Sequence, residues 1–218
     1  MTIWRPRGTY APELLESLTT RAAGLVLPDA RVILGIAGSP GSGKTTLATD
    51  IVTSLSGHGI EAAYLPLDGF HLANATLGRL GSSDRKGAID TFDGWGFVSL
   101  LERIRADSAH PIYAPAFDRA VDEPVAGSIA IAPPVRLVVA EGNYLLVDEE
   151  PWSRIRPLLA EAWFCAAPEP ERMSRLVDRH ERHGRSAVAA AAWARDVDGA
   201  NALLIEPTRV RADLLVAT

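Results

Sequence analysis

The stretch GIAGSPGSGKTTLATD, Gly35–Asp50, sets Gly38, Gly43, Lys44 and Thr45 in the spacing GxxxxGK[ST]. Glycines let the backbone wind so tightly that successive N–H groups point into one concavity. A helix beginning at Lys44 adds the positive end of its dipole to the same place. Phosphate oxygens are the natural guests of such a turn. Lys44 brings a point charge within reach of the outer phosphates of a nucleotide, and the Thr45 hydroxyl is a hard oxygen ligand suited to Mg²⁺. Gly38, Ser39, Gly41, Ser42, Gly43, Lys44, Thr45 and Thr46 are therefore the candidate nucleotide-binding set.

A second stretch, AYLPLDGFHLAN, is an apolar run that releases the carboxylate of Asp68 at its exit. Ligands of open parallel sheets bind beyond the carboxyl ends of the strands. A carboxylate there can take a proton from an attacking hydroxyl or help hold Mg²⁺. Alone, Asp68 reads equally well as a helix cap or a turn residue. Gly69 is expected to leave room for substrate, with Phe70 and His71 flanking it. A third apolar run, VVAEGNY, ends in Glu141, a candidate for the metal's shell and the substrate side, with Tyr144 just beyond as another substrate contact. Tyr113, Phe117, Asp118 and Arg119 supply one aromatic wall and charged groups for a polar ligand, while His110 reads as a surface residue.

These groups need a frame that brings strand exits together. RVILGIAG, IEAAYLPLD, VRLVVAEG and AEAWFCAA read as buried strands, and ADLLVAT as a candidate last one. Helical segments fall between them from Lys44 to about Ser56, near Trp95 to Ala106 and near Pro151 to Ala160. Short apolar strands alternating with helices imply an α/β fold, a parallel sheet with helices on both faces. Leu14, Leu15, Leu18, Ala22 and Leu25 recur at helical spacing, giving an N-terminal helical extension over about 1–30. The segment of about 168–204 gathers Arg172, Arg175, Arg179, Arg182, Arg185 and Arg195 around Gly184, and reads as two helices joined by a mobile turn. A solvated helix face is the competing reading of those arginines. One domain is expected over 1–218.

The order GSPGSGKTT, LPLDGFH, TFDGWGF, IYAPAFDR, VVAEGNYLL and RLVDRHERHGRS resembles the P-loop kinases of small metabolites, the family of uridine kinase, bacterial pantothenate kinase and phosphoribulokinase. It is most similar to a bacterial uridine kinase-like subgroup associated with fructose transport. The resemblance implies a P-loop NTPase fold with a small helical lid, and ATP with Mg²⁺ as cofactors. It implies that Asp68 is the catalytic base, that Asp93 of TFDGWGF faces acceptor hydroxyls, and that Arg175 and Arg179 are lid arginines closing over the ATP phosphates. RHERHGR departs from the family's RDxxxRGR in length and in His180 replacing Asp. The expected activity is transfer of the γ-phosphoryl group to a hydroxyl of a small polar metabolite, nucleoside or sugar-like. An NTP hydrolase or switch with Asp68 positioning water, and a nucleotide-sensing regulator without turnover, remain open beside it.

A net charge of −5 in 218 residues argues against nucleic acid as a partner, because backbone binding needs a basic face. The 47% apolar and 22% charged residues suit a compact globular chain. One cysteine, Cys165, excludes a disulfide framework and reads as a core residue. No apolar run reaches membrane-spanning length and MTIWRPRGTY lacks an apolar signal region, so no membrane partner and a cytoplasmic address are expected. A small-molecule substrate is the expected partner, with a homodimer left open.

Overall fold

The computed structural model describes residues 11–218. Its centre is a five-stranded sheet of parallel strands, β1 (Val32–Gly38), β2 (Ala62–Pro66), β5 (Leu137–Gly142), β6 (Glu161–Ala166) and β7 (Leu214–Ala217), in the order β2-β5-β1-β6-β7. The central strands are buried on both faces, which is why they read as continuous apolar runs. Ile33 and Ala37 of β1 face one side with Val138 and Ala140 of β5, while Leu34, Ile36, Leu137 and Val139 face the other.

Helices cover both faces. On one, α2 (Lys44–Gly57) lays Leu47, Ala48, Ile51 and Leu55 on the sheet, and Leu18 and Ala22 of α1 (Pro12–Ala23) pack into the same cluster. On the other, α4 (Gly94–Ala106) buries Phe97, Val98, Leu101 and Ile104. The expected helix over Pro151 to Ala160 is instead two 3₁₀ turns, Trp152–Arg154 and Arg156–Leu158. Pro157 has no N–H to give and its ring would crowd the carbonyl four residues back, so an α-helix cannot continue there. No helix of the described residues is long and apolar enough to cross a membrane.

Register sets the site. Ile36 and Pro66 both pair with Glu141, so the exits of β1, β5 and β2 lie level, with Gly38 and Asp68 each two residues beyond the pairing line. Outside the sheet, β3 (Ile112–Asp118) and β4 (Glu123–Ile131) form an antiparallel hairpin, and α3 (Asn74–Leu80) follows the Asp68 turn. After β6 come α5 (Glu169–Arg182), α6 (Ala187–Trp193), a π-helical turn Ala194–Asp198 and α7 (Gly199–Ile205).

Candidate active site

The loop between β1 and α2 has the geometry its sequence asks for. Gly41 and Gly43 take left-handed φ of 78° and 85°. A Cβ on Gly41 would stand 2.7 Å from the Arg172 carbonyl oxygen, so only glycine lets the loop pass this close to α5. Arg172, buried, donates to the Pro40 carbonyl at 3.2 Å, and Arg175 to the Gly41 carbonyl at 3.3 Å. The Ser39 hydroxyl donates to Glu206, and the Ser42 carbonyl accepts from Thr218 Oγ1 at 2.6 Å. With its carbonyls held by α5 and the C-terminal segment, the loop is fixed before any phosphate arrives.

Glu141 stands beside the loop, only 3% exposed. Its Oε1 accepts from Thr45 Oγ1 at 3.2 Å and from the Tyr64 hydroxyl at 2.8 Å, while Oε2 is buried without a hydrogen-bond partner. Burial holds the carboxyl above the ordinary carboxylate range, against the pull of Lys44 and with the added push of Asp68. Burial and the neighbouring Glu141 charge raise the Tyr64 phenol too. An orphaned carboxylate oxygen beside a threonine hydroxyl is a donor set that fits Mg²⁺, a hard cation that takes few protein ligands and keeps water and phosphate for the rest.

Asp68 lies in a 3₁₀ turn, Leu67–Phe70, that follows β2 directly. Its Oδ2 is 3.7 Å from Arg119 Nη2, an ion pair beyond hydrogen-bond reach that leaves the carboxylate open. The hairpin packs on this turn: a Cβ on Gly69 would stand 2.2 Å from the Pro115 carbonyl oxygen. Gly69 thus makes room for the hairpin, not for substrate as its sequence context suggested. That approach brings Phe117 to His71, ring centres 5.0 Å apart. His71 also contacts the Asp68 carbonyl through Nδ1 at 2.8 Å, and burial lowers its pKa, which favours the neutral ring.

Lys44, Thr45, Asp68, His71, Phe117 and Arg119 line one cleft of about 890 Å³, together with Glu141 and Arg179. The far wall comes from α5, α6 and the turn between them, with Arg182, Gly184, Arg185 and Trp193. Arg185 stacks its guanidinium 3.9 Å over the Trp193 ring. Arg179 lies 3.7 Å from Asp198, which His180 also contacts at 2.7 Å.

Several expected contacts fall elsewhere. Arg175 supports the loop from its carbonyl side and is not among the residues lining the cleft. Asp93 caps α4, accepting from the Gly96 N–H at 2.8 Å, and Tyr113 is exposed on β3; neither lines the cleft. Tyr144 is fully buried and does not line the cleft; its hydroxyl donates at 2.7 Å to the carbonyl of Gly87, which does. Burial raises that phenol. Asn74, Lys86 and Asp122 line the cleft unanticipated. Lys86 carried a signal, being one of only two lysines in the chain.

A parallel sheet whose first exit is a phosphate loop and whose neighbouring exits bear Asp68 and Glu141 defines a P-loop NTPase fold. The Phosphoribulokinase / Uridine kinase family matches residues 33–217, and the chain belongs to that family. Its members are kinases, phosphotransferases with a hydroxyl acceptor. A Schizosaccharomyces pombe protein provisionally named a uridine kinase is 32% identical over 92% of this chain and 89% of its own length. A crystal structure from Silicibacter sp. TM1040, provisionally described as a fructose transport system kinase, superposes with a TM-score of 0.86 at 36% identity, covering 93% of this chain and 98% of that one. YFH7 of Saccharomyces cerevisiae, at 20% identity and a TM-score of 0.73 over 94% of this chain and 96% of that one, shares the fold.

Proposed function

We propose that the protein transfers the γ-phosphoryl group of ATP to a hydroxyl of a small polar metabolite, nucleoside or sugar-like, in a Mg²⁺-dependent reaction. The observation that carries this reading is that an open carboxylate, Asp68, lines the same cleft as Lys44 and Thr45 of the phosphate loop. The loop N–H groups and Lys44 hold the phosphates. Thr45 and Glu141 hold the cation. Mg²⁺, when bound, offsets the charge that grows on the phosphate oxygens.

Asp68 orients the acceptor hydroxyl and takes its proton as the acceptor oxygen bonds to the γ phosphorus. The bond from that phosphorus to the bridging oxygen breaks, and ADP leaves. Arg119, 3.7 Å away, sets a positive charge beside the Asp68 carboxylate. Arg179, Arg182 and Arg185 bring positive charge to the transferring group from a lid over about 168–204, and that segment excludes water when it closes.

Incubation with γ-labelled ATP and Mg²⁺ against nucleosides, ketohexoses, pentoses, polyols and pantothenate tests the reading, with labelled acceptor and free phosphate counted separately. Label in an acceptor supports the transferase. Free phosphate at the same rate with and without acceptors replaces it with a hydrolase, and no turnover at all replaces it with a nucleotide sensor.

A further inference from the structure

Lys86 looks at first like an anchor for an anionic acceptor, since it lines the Asp68 side of the cleft and 85% of its side chain is shielded, only 15% being exposed. Its contacts say otherwise. Nζ lies 2.7 Å from Asn74 Oδ1, 2.7 Å from the Asp122 carbonyl and 2.8 Å from Asp122 Oδ2. An ammonium has three donors, and all are spent. The Phe117 ring covers the same group, its centre 5.0 Å from Nζ. Asn74 completes the knot by donating Nδ2 to the Asp122 carbonyl at 3.0 Å.

What remains for a ligand on this wall is a set of acceptors and the Arg119 guanidinium, whose charge is set against Asp68. Asp122 lines the cleft and pairs with Lys86 through Oδ2, so Oδ1 takes no part in that pair. A carbonyl only accepts, so His71 Nδ1 must carry the hydrogen it gives to the Asp68 carbonyl, and Nε2 is left as an acceptor. Asp68 itself accepts. Both cations of the wall are matched, Lys86 by Asp122 and Arg119 by Asp68, so no surplus positive charge is left for an anionic acceptor.

We infer that the acceptor is an uncharged polyol, whose O–H groups donate to Asp68, His71 and Asp122, and that the Lys86–Asp122 pair discriminates against acceptors bearing a carboxylate or phosphate. The inference rests on the transferase reading and narrows its substrate class. The polyol is either a free sugar or the ribose of a nucleoside, and the assay separates the two.

The experiment compares kcat/KM for D-fructose, D-ribose, sorbitol and uridine with that for fructose 6-phosphate, ribose 5-phosphate and D-gluconate. The wild type should favour an uncharged member by about ten-fold or more over its charged counterpart. Asp122 occupies the left-handed region at φ 54°, which Asn and Gly both tolerate, so Asp122→Asn and Asp122→Gly are the variants of choice. Asp122→Asn removes the countercharge of Lys86 and Asp122→Gly also removes a side-chain acceptor, so each should lower the uncharged-to-charged ratio by about ten-fold, with KM for ATP unchanged. A wild type that prefers the charged members overturns the inference and leaves the transferase standing. So does an unchanged ratio in variants that melt at the wild-type temperature. Phosphate release with no transfer to any member removes both readings. The wild-type comparison decides the matter even where neither variant folds.

Discussion

Replacing Glu141 with Gln separates the cost of burying a carboxylate from its use in holding a cation. Glutamine keeps the length and an oxygen that Thr45 and Tyr64 can still donate to, but not the charge. A buried polar atom without a partner costs about 1–3 kcal/mol, more when charged, and Oε2 is such an atom. The amide remains partly unsatisfied and Lys44 loses a countercharge, so the expected net gain in the absence of ligand is about 1–2 kcal/mol. For a domain of this size each kcal/mol moves Tm by about 2–4 °C, giving a rise of about 2–8 °C.

The sign also depends on pH. Glu141 has its folded pKa raised above the ordinary value of 4.5. The stability that its protonated form contributes is fully present below that value and is lost as pH rises through the raised one. The advantage of Gln over Glu should therefore grow upward from pH 4.5 and level off above the folded pKa. Ligand reverses the order: a nucleotide at a hundred times its Kd stabilises by about 2.7 kcal/mol, and Glu141→Gln should forfeit much of the Mg²⁺-dependent part. Melting curves between acidic and mildly alkaline pH, with and without Mg²⁺ and a non-hydrolysable ATP analogue, read both effects. A variant that melts below wild type in alkaline buffer without ligand, or gains as much from the Mg²⁺–nucleotide complex as wild type does, refutes the reasoning.

Asp68→Asn should lower kcat by about 10² to 10⁴ while MgATP binding changes little; rescue of the rate by raised Mg²⁺ in a titration would show that Asp68 holds metal instead. Gly69→Ala would drive a Cβ into the Pro115 carbonyl, which has no flexible end to yield. The expected result is faster hydrogen exchange over Ile112–Ile131 and loss of acceptor turnover, with nucleotide binding retained; unchanged exchange would contradict the packing argument. Exchange from Arg172 to Asn201 should slow when an ATP analogue and Mg²⁺ are added, and equal exchange would return the arginines to a solvated face.

The parts legible in the sequence are those where local chemistry and tertiary role coincide. The phosphate loop needs its glycines wherever it occurs, and buried parallel strands need apolar runs, so β1, β2, β5 and β6 announce themselves. Asp68 and Glu141 were legible because they interrupt such runs. The hairpin was not. EPVAGSIAI of β4 is mostly exposed and built of small residues, so it lacks the alternation that a half-buried strand shows. Arg172, Arg175 and Arg179 follow one another at helical spacing, yet two grip loop carbonyls and one faces the cleft, a division that depends on where α5 crosses the loop. Lys86 and Asp122 are 36 residues apart and meet only because Gly69 lets the hairpin settle.

That hairpin stands outside the five-stranded sheet, and it carries Phe117, Arg119 and Asp122 while the sheet's exits carry Lys44 and Glu141. In the proposed reaction, part of the acceptor's surroundings is thus mounted on a separate piece of backbone, which meets the rest of the fold at the Asp68 turn and through the buried side chains of Ile112, Ala114 and Ile131. Substitutions at the exposed hairpin tip, 118–122, can reshape what enters the cleft without disturbing the phosphate loop or the sheet. A scaffold divided in this way can exchange one alcohol for another over evolutionary time while its phosphoryl-transfer apparatus stays as it is.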